Sequence, residues 1–377
     1  WLLLNFHLLL KVLVKNKILV YGAGAIGRGY IPWIFPSDRY ELSFVESNSE
    51  LRGLLQEKKE FTTYRTKNSQ YEKLTCKFKD CFDLGEENPE EYDGVITAVG
   101  PRKVHSLIER LSNVECPIVL FENDSTLATE LRSISGKDNI YFGIPDVITS
   151  NTAQSDMLEN DPLSIITEDG ICFAEDGAVS LGGDISYVSQ DEIRKQWAAK
   201  LYIHNTPHCI AAYLGSLCGK KYLHEGMSVT SVNSIVVGAM EEMSQTVIKL
   251  FDLDKEFVDW YSEKELARFS NTLLYDPILR VAREPFRKLG LHDRLIGASQ
   301  LALRSGVIPK NLILGIMSAF LYEEENDEDF NIKILLNSLD PKSFLKLIIN
   351  LQPHEALYSL IIDNWDESLD VLRNLRQ

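Results

Sequence analysis

The sequence predicts an α/β first half built on a parallel sheet, followed by an all-helical second half. Three observations carry this. Short β-branched runs, "KILVYG" (17–22), "ELSFVE" (41–46), "DGVITAV" (93–99), "PIVLFE" (117–122) and "NIYFGI" (139–144), alternate with connecting segments, the pattern of parallel strands covered by helices on both faces. From Asp191 onward β-branched runs thin out and apolar residues recur at helical spacing, as in "IVVGAMEEMSQTVIKLF" and "NLILGIMSAFLY". The length of 377 residues suits two domains with a cleft, since single cores stop growing near roughly 250–300 residues. Boundaries at 16–190 and 191–377 are expected.

In chain order, the opening "WLLLNFHLLLKVLVK" is apolar, yet it lacks a basic n-region and a small-residue cleavage site and is too short to span a bilayer. Residues 1–15 are therefore read as an extension preceding the fold. The first strand runs into "GAGAIGRG", where Gly22, Gly24 and Gly27 form G-x-G-x-x-G between a strand and a helix. Such glycines permit a tight turn and close backbone approach. The helix start at Ala25 and Ile26 then offers free N–H groups and a positive dipole end to a pyrophosphate. Glu46 ends the next strand about 20 residues on, where an acid accepts from both ribose hydroxyls of an adenosine and repels a 2′-phosphate. The first half is thus expected to be a Rossmann-type dinucleotide-binding domain with NAD as cofactor; the bland alternative is a glycine turn and a surface glutamate.

Further along, "TAVGP" (97–101) closes the central strand, and backbone around Val99 and Gly100 either lines the nicotinamide ribose or makes a plain turn. The stretch "LSIITEDGICFAEDGAVSLGG" reads as short strands joined by turns at Asp169-Gly170 and Asp176-Gly177. The acidic run "EEENDEDF" (323–330) reads as a solvated loop, and the last segment as amphipathic helix packed on the bundle with a break at Pro353.

Composition narrows the function. A net charge of −16 without a basic stripe disfavours nucleic acid and anionic membrane, so an anionic substrate needs a local basic cluster. The six cysteines show no CxxC pairing and fit reduced thiols in a cytoplasmic protein. No metal is expected, because Cys209 beside His204 and His208 lacks paired ligand spacing.

The segment "KLYIHNTPHC" (200–209) gathers polar groups. At about 100° per residue, Lys200, Asn205 and His208 fall within an arc of roughly 140°. A dinucleotide fold without metal needs an acid/base group for the alcohol proton and donors for the developing carbonyl oxygen. No tyrosine has a lysine four residues later, and a desolvated lysine beside a cationic ring can serve as the base. The competing account makes Lys200 a snorkelling side chain, Asn205 a cap and His208 a core histidine. A phosphate handle is sought in "LRVAREPFRKL", where Arg280 and Arg283 lie one helical turn apart and Arg287 and Lys288 follow Pro285. The alternative is a salt-bridged surface with Asp276 and Glu284 as partners. Arg268 and Asn271 in "RFSN" are weaker candidates for substrate hydroxyls.

"KLYIHNTPHCIAAYLGSLCG" resembles the signature of the polyol-specific long-chain dehydrogenases. The likeness extends from about residue 16 to 325 through "GAGAIGRG", "VITAVGP", "ENDPL", "GAMEE", "ARFSN", "RKLGLHDRLI" and "VIPKNLILGI" in family order. The resemblance implies an N-terminal Rossmann-type domain, an all-helical C-terminal substrate domain, and NAD-dependent interconversion of a sugar-alcohol phosphate and a ketose phosphate, mannitol 1-phosphate and fructose 6-phosphate above all. It implies Lys200 as general base, Asn205 and His208 as substrate-orienting groups, and Asn123 in "VLFEND" as a second oxyanion donor. The partner is then a small sugar or polyol phosphate, taken by a monomer or weak dimer. An unphosphorylated polyol or hexuronate is the runner-up substrate, and a non-catalytic NAD-binding sensor the reading from another class. The chain departs from the family at Phe121 and Asp124, at Ser150 and Asn151 where an Asp-Arg pair is usual, and at Pro207 in place of glycine, which should bend the helix beside His208.

Overall fold

All five apolar runs of the first half form strands. The computed structural model describes residues 15–150, 153, 155–323 and 332–375. The opening extension up to residue 14, Asn151 and most of the acidic run lie outside the described residues. Contacts divide the chain after Arg194 into two compact units.

The strands of the first unit are β1 (Asn16–Tyr21), β2 (Tyr40–Val45), β3 (Glu60–Lys67), β4 (Gln70–Lys77), β5 (Cys81–Phe82), β6 (Gly94–Thr97), β7 (Ile118–Leu120), β8 (Ile140–Asp146), β9 (Thr149–Ser150), β10 (Ile165–Glu168), β11 (Ile171–Glu175) and β12 (Ser186–Val188). Six of them lie parallel in the order β5-β2-β1-β6-β7-β8, the doubly wound arrangement whose switch point lies beside β1. Ile18, Leu19, Val20, Val95, Ile96, Ile118, Val119 and Leu120 are all fully buried, so both faces of this sheet are covered. β11 adds antiparallel to β8, and β12 lies beyond it.

Of a second sheet, β4-β3-β10-β9, the sequence reading holds only β10, within "LSIITEDG". Its β3–β4 hairpin turns at Asn68 and Ser69, with φ of 50° and 60°, the paired positive φ of a type I′ turn. The turn at Asp169-Gly170 joins two strands as expected, and it carries the chain from one sheet to the other, since β10 pairs with β3 and β11 crosses to β8. Gly170 is needed there because a Cβ would sit 2.3 Å from the Asp146 carbonyl oxygen. The expectation at Asp176-Gly177 is corrected: it opens a 3-10 turn, Asp176–Leu181, instead of joining strands directly.

Helices make the second unit. A helix from Gln190 to Ala199 passes into a π-helical segment, Lys200–Asn205, and on into a helix from Thr206 to Leu217. The last of these is the central column, buried at all but one position and packed on Leu223–Met227, Thr230–Phe251, Ile278–Ala282 and Lys310–Phe320. The C-terminal helices, including Pro341–Leu347 and Trp365–Asn374, pack on this bundle through Phe320, Phe344 and Trp365. No helix among the described residues is long and apolar enough to cross a membrane.

Candidate active site

In the first unit, β1 ends at a loop whose backbone is dictated by its glycines. Gly22 has φ +97°, and a Cβ there would meet the Ala98 carbonyl oxygen at 2.5 Å. A Cβ on Gly27 would meet the Gly22 carbonyl oxygen at 2.0 Å, so only glycine lets the following helix, α1 (Ala25–Gly29), seat against the loop. Gly24, by contrast, faces open space. It is the N-cap of α1 and supplies no side-chain cap, which leaves the Ala25 and Ile26 N–H groups as donors toward that space. From behind, Thr63 donates to the Gly29 carbonyl at 2.8 Å, and Arg28, itself buried, donates to the carbonyls of Ala23 and Leu163. The second sheet thus backs the phosphate-facing turn.

Glu46 follows β2 and closes the loop. Its Oε2 accepts from Ala23 N–H at 2.9 Å and its Oε1 from Asn48 N–H at 2.8 Å. Each carboxylate oxygen has a further lone pair for a ribose hydroxyl. Glu46, Tyr21, Gly22, Gly24, Ser47 and Val99 line a groove of about 190 Å³. Shape, free amides and carboxylate together fit a dinucleotide. The amides of Val99 and Gly100 are already committed, however, donating to Glu122 at 3.0 and 2.8 Å. Val99 lines the groove, and Gly100, with φ +92°, shapes the turn beside it. Glu122 was not found from sequence; burial raises its pKa while those hydrogen bonds oppose the rise. Lys103, exposed at the groove, was missed too.

Asn123 also belongs to the first unit and is exposed after β7. Asp124 shapes its loop by accepting from the Thr126 amide and hydroxyl at 2.9 and 2.7 Å. Phe121 fills space that Gly143 leaves, since a Cβ on Gly143 would lie 2.4 Å from its ring. Ser150 is fully buried in β9, paired with Ile166.

In the second unit, Lys200, Asn205 and His208 lie on the turn where the expected α-helix gives way to π-helix. The Thr206 N–H reaches back five residues to the Leu201 carbonyl. Pro207 is the physical reason: it lacks an N–H and its ring would strike the carbonyl four residues back, and a wider turn relieves both. The disturbance expected beside Pro207 thus includes a π-helical turn. Residues five apart are axial neighbours in such a turn, so Lys200 stands in line with Asn205, and His208 follows one α-turn later. Thr206 donates to the Arg294 carbonyl at 2.8 Å and anchors the junction.

Both histidines here are buried and carboxylate-bound. His208 bonds through Nε2 to Asp276 at 2.9 Å and stacks on Phe269 at 5.1 Å and 14°. Burial lowers its pKa, whereas Asp276, despite its own burial, is held down at about 2 by Arg280 and His208. A neutral ring that donates from Nε2 keeps Nδ1 as an acceptor. His204 bonds through Nδ1 to Glu265, and burial pushes its pKa down to about 4. Glu265 also accepts from Arg268. Sequence reasoning passed over Glu265, and it read Asp276 only as an arginine partner.

The basic segment is not a converging cluster. Arg280 is bound to Asp276 at 2.5 Å, and Arg287 to Glu284 at 3.0 Å and Asp293 at 3.2 Å. Lys288 is buried, donating to the carbonyls of Val281 and Arg283, and burial lowers its pKa to about 7. Its turn, Pro285–Lys288, points it inward. Arg283 is the exposed guanidinium of the segment and makes no ion pair with a described residue. Arg268 is buried, and Asn271 is half-buried with its Oδ1 accepting from Leu273 N–H at 2.9 Å.

A doubly wound dinucleotide unit, followed in the chain by a helical unit that lines up a lysine, an asparagine and a histidine, defines a two-domain nicotinamide-dependent dehydrogenase. Comparison with known proteins specifies which. The mannitol dehydrogenase Rossmann domain matches residues 16–116 and the mannitol dehydrogenase C-terminal domain residues 192–337. Mannitol-1-phosphate 5-dehydrogenase of Caldanaerobacter subterraneus subsp. tengcongensis is 29% identical over 358 residues, 85% of this chain and 92% of the relative. The enzyme of the same name from Geobacillus stearothermophilus is 28% identical over 82% and 88%. Among solved structures, Pseudomonas fluorescens mannitol 2-dehydrogenase in ternary complex with NAD and D-mannitol superposes with a TM-score of 0.72 at 14% identity, covering 97% of this chain and 95% of that one. A substrate-free D-sorbitol dehydrogenase gives 0.67 at 12%, covering 95% and 92%. The chain belongs to the mannitol dehydrogenase family and is an NAD-dependent oxidoreductase.

Proposed function

We propose that this protein oxidises a secondary alcohol of a sugar-alcohol phosphate, or reduces the matching ketose phosphate, with mannitol 1-phosphate and fructose 6-phosphate as the pair. The π turn that aligns Lys200 with Asn205 and His208 is the observation that carries this reading. The part spanning 16–190 binds NAD and the part spanning 191–377 binds substrate. NAD, when bound, accepts the hydride. Lys200 takes the hydroxyl proton, without a metal. The side-chain amides of Asn205 and Asn123 donate to the oxygen as it becomes a carbonyl. His208, fixed by Asp276, accepts from a neighbouring hydroxyl through Nδ1, and Arg268 and Asn271 take further hydroxyls. Arg283 is assigned the phosphate, because Arg280 and Arg287 are engaged by carboxylates and Lys288 is folded inward. Six free thiols suit a cytoplasmic setting.

An unphosphorylated polyol is the second reading, favoured by those same arginine–carboxylate pairs. Absorbance of NADH on mixing the protein with NAD and mannitol 1-phosphate, beside mannitol, separates the two. The phosphate should be oxidised, Lys200→Ala should lose roughly 10²–10⁴-fold in rate while still binding NAD, and Arg283→Ala should raise KM for the phosphate alone. Equal turnover of mannitol sinks the phosphate assignment, and silence with every polyol while NAD binds sinks the reaction.

A further inference from the structure

Glu265 lies in a place with no access to water: its exposure is 0 %. It accepts from His204 on one oxygen and from Arg268 on the other, with the Lys264 ammonium 3.8 Å from that second oxygen. A buried ion pair of this kind is weak evidence for stability, because the desolvation of its members offsets their attraction. What it does supply is geometry. His204 lies inside the π segment, immediately before Asn205. Its ring is 4.8 Å from that of His208 and 5.5 Å from that of Phe269, on which His208 stacks. Phe269 in turn ends the helix Lys255–Phe269 that carries both Glu265 and Arg268.

We propose that Glu265 is a positioning residue that ties the π turn to the end of this helix, so that Asn205, His208 and Arg268 are held in one fixed arrangement toward the substrate. The proposal rests on the reading of the site given above. Asp276 holds His208 from the other side, and Arg280 completes that second histidine–carboxylate–arginine chain. The two chains meet at the stacked rings.

Steady-state kinetics of the whole protein, with melting curves and imidazole N–H proton resonances, test this. Glu265→Gln should keep the fold and the KM for NAD while kcat/KM for the polyol phosphate falls roughly tenfold to a hundredfold, the scale of a small misplacement. Combined with Arg268→Ala it should cost little beyond Arg268→Ala alone. His204→Leu should reproduce the loss, and His204→Asn, which retains a donor at the Nδ1 position, should recover part of it. The His208 resonance should move in Glu265→Gln although Asp276 is untouched. Unchanged kinetics and an unmoved His208 resonance, or losses that only follow the fraction unfolded, overturn the proposal. A wild type inactive on all polyols overturns the reading of the reaction instead, and the resonances still decide on Glu265.

Discussion

Asp276 decides which nitrogen of His208 is left for a substrate. Its carboxylate accepts a hydrogen bond from Nε2–H, so Asp276→Asn, whose amide can donate, should favour the other tautomer and release Arg280. Kinetics should show kcat/KM for the polyol phosphate down by about 10² with the KM for NAD unchanged; an unaltered value would leave His208 outside the chemistry. At Glu46 the carboxylate both braces the loop through Ala23 and faces the groove. Glu46→Arg should raise the KM for NAD at least tenfold and admit NADP, and continued rejection of NADP would mean that another group sets the choice. The lysine, asparagine and histidine were legible because they fall together in ten residues. Their carboxylates were not, since Glu265 and Asp276 lie 61 and 68 positions away from the histidines they bind. Nothing local in "SEKELARFSN" marks one acid as buried.

Strands buried on both faces, such as β1 and β6, were legible as unbroken apolar runs. β3 and β4 were not: "EFTTYRTK" and "QYEKLTCK" are polar, and Asn68-Ser69 is a weaker turn signal than Asn-Gly. The π segment was read as ordinary helix, although Pro207 was the local cue to a disturbance there. In the loop after β1, Gly22→Ala adds a Cβ 2.5 Å from a carbonyl oxygen at φ +97°, and should destabilise the first unit by roughly 1–3 kcal/mol and abolish tight NAD binding, read by denaturant melts and NADH fluorescence. The π segment makes its own prediction about acid. His204 titrates at about 4 in the fold against 6.5 when free, so the folded state holds it neutral. Stability from this ring is complete above pH 6.5 and drains away as pH falls toward 4. Melting curves should show that loss, about 2–4 °C for each kcal/mol, and His204→Leu should flatten it. Asp276 continues the trend lower, its contribution present above pH 3.8 and lost as pH falls through about 2.

At the scale of the molecule, two units with their own cores should unfold with separable responses to cofactor. Calorimetry with NAD at about 100 times its Kd should stabilise the first unit by roughly 2.7 kcal/mol, and a single transition shifted as a block would show the two to be coupled. The doubly wound sheet and the helical second half followed from hydrophobic patterning along the chain. The arginine segment shows the opposite limit: in a chain of net charge −16, Arg280 and Arg287 both find carboxylates, and spacing does not reveal which cation is left over. The π turn adds one more constraint, on chain length. Such a turn holds one residue more than an α-turn, so deleting one position between Leu201 and His204 would restore an α-turn and keep Asn205 and His208 roughly in line with Lys200, whereas adding one would turn both about 100° away. With that added residue Asn205 and His208 would leave the line of Lys200 with every side chain of the site still encoded. At this point the number of residues is as much a part of the site as their identities.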